Sequence, residues 1–126
     1  MHVHKFGTKL KSDNERQPLN IRWRPVMNLL FSPEKLNPTT WQIFCQEKIT
    51  FKRKEAKTVS IAFGVEMSDG MVLVSLNQLL KSKQCSMLDA SLIESVEDII
   101  VTITNNSETN VLIQPGEKLC CIHYVN

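Results

Sequence analysis

The sequence has few of the residues from which catalytic and cofactor sites are usually built. Its 126 residues include only four glycines, each isolated, so no glycine-rich loop can cradle a phosphate. The four cysteines show no C-x-x-C spacing, and we expect no metal site from them. The densest acids are Glu94, Glu97 and Asp98, and a solvated strand edge explains them better than general acid–base catalysis. We therefore expect neither a cofactor nor a metal.

Long apolar runs are also missing. No segment approaches the roughly 18 apolar residues of a membrane span, and no signal peptide precedes the cysteines. Because cysteines without a disulfide framework are typical of reducing compartments, we expect an intracellular protein, in the cytoplasm or the nucleus. Cys120 and Cys121 are neighbours on one predicted strand, so one should be buried and the other more exposed.

The charge is small overall but unevenly distributed. A net charge of +2 argues against an obligate nucleic-acid role. Residues 1–40 contain seven Lys or Arg against three acids, which gives +4 in the first third of the chain. Two interpretations stay open for this basic N-terminal part: a solvated tail, or an arm that touches phosphate or an acidic partner.

Alternation of apolar and polar residues dominates from Trp41 onward and predicts an all-β domain. Residues 98–104 alternate with Ile99, Val101 and Ile103 facing inward, and Met71–Leu76 is apolar enough for a strand buried on both faces. Many short strands separated by turns indicate an antiparallel sandwich or barrel. The clearest alternation predicts one long strand with five residues on a single face, Val59, Ile61, Phe63, Val65 and Met67.

Two segments depart from the strand pattern. Residues 77–89 are the one plausible helical piece, so we expect one short helix there. Ser32-Pro33-Glu34 could open a separate helical turn, with Ser as the cap and Pro at the first position. Cys121 and His123 lie about 7 Å apart by strand rise, too far for the hydrogen bond that would activate a thiolate.

The C-terminal quarter carries the strongest motif of the chain. A strand over 101–104 ends in Asn105-Asn106-Ser107, and a hairpin turn at Pro115-Gly116-Glu117-Lys118 precedes an apolar strand. This order resembles the dUTPase superfamily, and the resemblance covers about residues 32–125. It implies a dUTPase-like, jelly-roll-like antiparallel β-barrel over 32–126, preceded by an irregular basic N-terminal arm over 1–31.

The positions that match the family's first two motifs have lost their functional groups. Trp41-Gln42-Ile43 matches the first motif, but Gln42 replaces the aspartate that helps organise the metal and triphosphate in the family. Leu76, Asn77 and Gln78 stand where the second motif has its phosphate-binding arginine, serine and glycine. Without the arginine, a charge-assisted phosphate contact is lost.

The remaining motifs depart as well. In the third motif the water-activating aspartate falls on Leu92 by a gap-free count, or on Glu94 with a small shift, and the tyrosine is lost. Cys121 stands where the fourth motif usually has a glutamine, and we expect the closing C-terminal arm to be missing because the chain ends at Asn126. The resemblance thus implies a dUTPase-like pseudoenzyme without catalytic residues.

Among dUTPase relatives that lost activity, the resemblance points to viral accessory proteins such as the dUTPase-derived adaptors of adenovirus early region four. It implies a protein-interaction module that engages host signalling proteins, although the C-terminal residues do not fit PDZ binding. Family members mostly form trimers with active sites at subunit borders, so we expect a trimer or dimer. The alternative is an active or degenerate dUTP diphosphatase.

Two contact surfaces are expected for such a module. The first is the N-terminal arm, where Arg22, Trp23 and Arg24 have the composition of an interface hot spot, although a tryptophan pinned against the barrel fits equally well. The second consists of the former active-site loops, Leu76–Leu88 and Leu92–Glu97.

Overall fold

A computed structural model of the chain describes residues 21–88 and 90–126. Its elements are short antiparallel strands and one helix, which confirms the predicted all-β, dUTPase-like fold class with one short helix. In chain order they are β1 (Ile21–Pro25), β2 (Glu34–Asn37), β3 (Thr40–Phe44), β4 (Ile49–Phe51), β5 (Ala56–Ser60), β6 (Phe63–Met67), β7 (Met71–Leu76), α1 (Gln78–Ser82), β8 (Cys85–Met87), β9 (Ala90–Leu92), β10 (Ile100–Asn105), β11 (Val111–Ile113) and β12 (Lys118–Val125).

The strands pair in four sets, the largest of which is centred on β12. Its order is β2-β3-β12-β7-β9, and β12 pairs with β3 on one side and with β7 on the other. A three-stranded sheet has the order β5-β10-β8, and two pairs, β1-β6 and β11-β4, complete the described strands. Apart from β2 and β3, no two paired strands in the described part of the chain are consecutive, so the fold depends on non-local pairing.

One face of each major strand points into a shared core. On β10 and just before it, Ile99, Val101 and Ile103 are buried, as the alternation predicts. Trp23 from β1 and Trp41 from β3 meet edge to face, with ring centroids 5.2 Å apart and planes 66° apart. The core therefore joins the two-stranded pair β1-β6 to the five-stranded sheet.

The predicted boundary at residue 31 does not mark the start of regular structure. Residues 21–25 form β1, which pairs with β6 so that Trp23 lies opposite Val65. The alternation here is too short to stand out in the sequence, and the two arginines that flank the tryptophan make it look like a surface segment. The part of the predicted arm that precedes Ile21 lies outside the described residues.

The long strand predicted over Val59–Met67 is two strands with a break between them. Ala62 has a positive φ of 71°, and the Ala62 backbone N–H donates a hydrogen bond to Ser60 Oγ at 3.0 Å. The break lets β5 pair with β10 and β6 pair with β1. A period-two pattern continues across the break and therefore conceals it.

Two smaller expectations are also wrong. Met71–Leu76 is not buried on both faces: its burial alternates, and Leu73 is 39% exposed on the outer face. Glu34–Asn37 forms the edge strand β2 instead of a helical turn, because its pairing with β3 satisfies the backbone there. The helix expected within 77–89 is confirmed as α1.

Candidate functional site

Gln42 and Cys121, which match the family's first and fourth motifs, are brought together by the pairing of β3 with β12. They are direct cross-strand partners, and the Cys121 thiol donates to Gln42 Oε1 at 3.6 Å. Gln42 Nε2 donates to the carbonyl oxygens of Ile43 and Cys120 at 3.1 and 2.9 Å. The ladder shifts register between Lys118 and Cys120, and the Gln42 amide closes that irregularity. Gln42 is buried, so its polar atoms serve the fold.

The residues that match the second motif are placed at the junction of β7 and α1. Leu76 is buried opposite Cys120. Asn77 caps the helix: its Oδ1 accepts from Leu79 N at 2.9 Å, and its own backbone N–H donates to Leu119 O at 3.0 Å. Gln78 is exposed in the first turn. The strand-to-helix junction of the motif is present, with an apolar and a capping side chain in place of a cation.

Glu94 lies apart from this group within one chain. Leu92, two residues before Glu94, pairs with Val72. Val72 is four residues before Leu76 on β7, which corresponds to about 13 Å along the strand. The chain after Leu92 continues toward the other end of β7, where Ser95 Oγ accepts from Met67 N at 3.0 Å. The structure thus pairs Gln42 with Cys121, places Leu76 on the opposite face of the same sheet against Cys120, with Asn77 directly after it, and leaves Glu94 exposed elsewhere.

The arginines of the predicted partner-binding triplet form an ion-pair cluster on the outer face of β1-β6. Arg22 and Arg24 both donate to Glu66 Oε1, Arg24 at 3.1 Å, and these contacts lower the pKa of Glu66, Arg22 contributing most. Trp23 points the other way and is 2% exposed. Trp23 is therefore not part of an exposed hot spot, and the second interpretation, a tryptophan pinned against the barrel, is correct. Glu66 is not identifiable from the sequence as the partner of these arginines, because the assignment requires the β1-β6 register, in which Glu66 lies opposite Arg22.

The thiols of the central strand are poor nucleophiles. Burial raises the pKa of Cys121, with Lys118 acting against it, and burial raises the pKa of Cys120. His123 is exposed, and its Nδ1 lies 2.8 Å from Thr40 Oγ1. The histidine is thus held by a threonine and not by a thiol, and no Cys–His pair of the kind that activates a thiolate is formed here.

The residues do not fit a divalent metal bound at the first-motif position. Within 21–88 and 90–126 no three His, Cys, Asp or Glu side chains approach closely enough to hold a metal ion. An amide that already donates to two carbonyl groups stands where a carboxylate would be needed, and Mg²⁺ is usually bound through carboxylates. The helix in the described part of the chain is also too short to cross a membrane.

The two segments predicted as contact surfaces, 76–88 and 92–97, carry exposed apolar side chains. Leu79 is 56% exposed, Leu88 69% and Ile93 71%. A second apolar stretch, not anticipated from sequence, is the connection from β1 to β2. Gln46 holds this connection, because its Oε1 accepts hydrogen bonds from the backbone N–H groups of Leu30 and Phe31 at 2.8 and 3.1 Å. The mixed composition of this connection gave no periodic signal.

Replacement of Gln42 by glutamate tests whether this position serves the fold. We expect Gln42→Glu to lose about 3 kcal/mol of unfolding free energy at pH 8, because a buried carboxylate would face two carbonyl oxygens. The folded-state pKa of that carboxyl would lie above its unfolded value of about 4.3, so the pH-dependent part of the loss is absent below that pH and grows as pH rises. A smaller loss remains at low pH, because the protonated carboxyl has one donor for two carbonyl oxygens. Urea unfolding at several pH values measures it.

The neutral variant Gln42→Met is the matched control. It removes the same hydrogen bonds without a charge, so its loss of stability should not vary with pH. A Gln42→Glu protein as stable at pH 8 as the parent, or an equal pH dependence in both variants, would contradict a structural role.

Comparison with known proteins finds similarity in structure only. No protein-family model and no curated protein matches the sequence. A mutant dUTPase of Staphylococcus bacteriophage 80alpha with dUpNHpp superposes with a TM-score of 0.73 at 13% identity, covering 83% of this chain and 88% of the phage chain. A mutant dUTPase from phage phi11 of S. aureus superposes with a TM-score of 0.72 at 15% identity, covering 83% and 89%. The chain therefore has the dUTPase-like fold of these phage proteins.

Proposed function

We propose that the chain is a non-catalytic dUTPase-like protein that acts as a protein-interaction module, an adaptor of the viral accessory type that engages host factors. The observation that carries the proposal is the use of the former catalytic positions by the fold. Gln42 closes a ladder irregularity, Leu76 fills the core, and Asn77 caps α1. Each of these side chains is committed to a contact that a catalytic group at the same position would have to give up.

The chemistry of triphosphate cleavage supports the same proposal. Catalysis of phosphoryl transfer depends on cations and metal ions that stabilise the charge of the transferred group. None of the four positions Gln42, Cys121, Leu76 and Asn77, which we call the Gln42 cluster although Leu76 lies on the opposite face of the sheet, carries a charged side chain, and burial raises the pKa of their only titratable group, the Cys121 thiol. Such a cluster offers a triphosphate neither a cation nor a carboxylate for a metal.

The exposed apolar side chains on the two loops support an interaction role. Leu79 and Leu88 lie in the first loop region, 76–88, and Ile93 lies in the second, 92–97. Exposed leucine and isoleucine side chains provide apolar area that a protein partner can cover. A regulatory use of this fold has a precedent among the similar structures, since the phage dUTPases are described as controlling the transfer of virulence genes.

Partner capture tests the loops as the contact surface. We expect Leu88→Ser with Ile93→Ser to abolish the enrichment of specific host proteins on the immobilised chain, because both apolar contacts are removed while the core is untouched. Quantitative mass spectrometry of captured proteins makes the measurement. Leu36→Ser, at a side chain 50% exposed on the edge strand β2, is the matched control and should leave capture unchanged. Equal capture by all three proteins would exclude the loops.

The rival function, dUTP diphosphatase, makes a different prediction. We expect no release of pyrophosphate from dUTP above background, and no rise in melting temperature with dUpNHpp and magnesium, because the cluster lacks charge for the triphosphate. Enzyme-like turnover would contradict the adaptor proposal. A rise of several degrees without turnover would show that a nucleotide is still bound and that the cluster keeps a ligand role.

Self-association is a separate proposal. In the family the resemblance implies, active sites lie at subunit borders, and the separation of Glu94 from the Gln42 cluster within one chain is the arrangement that such a shared site requires. We expect a trimer or a dimer by multi-angle light scattering at micromolar concentration. A monomer at that concentration would refute self-association without affecting the prediction for dUTP.

A further inference from the structure

Positive charge is concentrated at one end of the three-stranded sheet β5-β10-β8. We call this the basic end and define it by five exposed cations, three in the turn before β5 and two in and after α1. Two acids, Glu55 and Glu108, accompany these cations, so the net charge of the basic end is five minus two, or +3. The described residues together carry eleven Lys or Arg and ten Asp or Glu, or +1, so the rest of them carries −2. The five cations are Lys52, Arg53, Lys54, Lys81 and Lys83.

Backbone contacts hold the two groups of cations side by side. Lys54 Nζ donates to the carbonyl oxygen of Asn106 at 2.9 Å, and Asn106 N donates to Gln84 O at 3.0 Å. Asn106 therefore bridges the turn before β5 and the segment after α1. Two strand spacings separate these flanking segments, which places the two cationic groups on the order of 10 Å apart.

A polar pocket of about 420 Å³ opens between the end of α1 and the hairpin loop that joins β10 to β11. Its lining includes Lys83, Gln84, Thr109 and Asn110 and contains no carboxylate. Asn110 Oδ1 accepts from Arg53 N at 3.1 Å, which leaves the NH₂ group of that amide as a donor. Glu108, the acid nearest in sequence, is held by Lys54 at 3.2 Å. Donors and positive charge thus dominate the pocket and its rim.

We propose that this pocket and the basic end bind a small molecule that carries two or more phosphate groups. One phosphate would occupy the pocket, against Lys83 and the amide donors, and a second would reach the cations of the turn before β5. Lysine, arginine, amide and hydroxyl donors are the groups with which proteins hold phosphate oxygens. Five cations exceed what a single phosphate needs, which favours a ligand with several phosphates.

The surroundings favour a small polyphosphorylated molecule over nucleic acid. Single strands are usually captured by stacking bases on exposed aromatic rings. The aromatic residue directly before the first three cations is Phe51, and it is completely buried, so its ring offers no face on which a base could stack. The pocket is also distinct from the family's triphosphate position, because it lies beyond the C-terminal end of α1 while the second-motif residues lie at its N-terminal end.

Titration calorimetry of the full chain with tripolyphosphate, starting at about 0.1 M ionic strength, where the Debye length is about 10 Å, tests the proposal. We expect measurable binding that weakens as salt is added, and about tenfold weaker binding for both Lys83→Gln and Arg53→Gln, because each substitution removes one charge-assisted contact. Orthophosphate should bind more weakly than tripolyphosphate, since it can occupy only the pocket. All variants should keep the circular dichroism spectrum and melting temperature of the parent, because both side chains are exposed.

Arg24→Gln is the matched control. It removes one exposed cation of the ion-pair cluster at the opposite end of β10, roughly 25 Å away by strand rise, well beyond the screening length of solution charges. Binding by this variant should stay within about twofold of the parent.

Three results would overturn the proposal. The first is no binding of tripolyphosphate by the parent chain. The second is a loss of tripolyphosphate affinity in Arg24→Gln equal to that in Lys83→Gln, which would mean binding by overall charge. The third is tighter binding of a short duplex DNA than of tripolyphosphate, with the same dependence on Lys83. The last result would replace the small molecule by nucleic acid. The proposal does not depend on the adaptor function, because neither Leu88 nor Ile93, the two residues that test that function, lines the pocket.

Discussion

The pairing of β12 with both β3 and β7 is the contact on which the rest of the structure depends. β12 is the longest of the described strands. It pairs with residues more than 40 positions away on one side, in β7, and with residues more than 70 positions away on the other, in β3. Next to the shift in its register, Gln42 Nε2 donates to the carbonyl oxygen of Cys120. The Gln42 side chain is thus part of the framework, and a carboxylate at this position would disturb the central sheet because it would face two carbonyl oxygens.

The chain separates charge in a way that its small net value conceals. Acids gather near the turn between β6 and β7 and before β10, while the cations of the basic end lie at the other end of β10. Within the basic end, Glu108 neutralises one lysine and leaves the pocket lining free of carboxylate. A sum over the sequence cannot show such a separation, because it depends on which turns the sheet places at the same end.

Much of the fold follows from alternation and turn chemistry, and the failures have physical causes. The inward positions of residues 99–103 and the short helix after Leu76 are predictable, because each depends on local pattern and capping. The break at Ala62 is not, since the apolar period continues while the strand changes partners. The roles of Gln42 and Trp23 are equally inaccessible, because both depend on a register between distant strands. The resemblance predicts which positions would form a site, but it does not predict how the fold uses them.

The placement of β1 decides how the chain can be shortened. A truncated protein that begins after residue 31 would lose the only strand paired along the length of β6 and would leave Trp41 without its stacking partner. Such a protein would fail through an open core, and the failure could be mistaken for loss of a binding arm. Removal of residues 1–20 alone spares that strand, so any activity that disappears with it belongs to the basic segment itself.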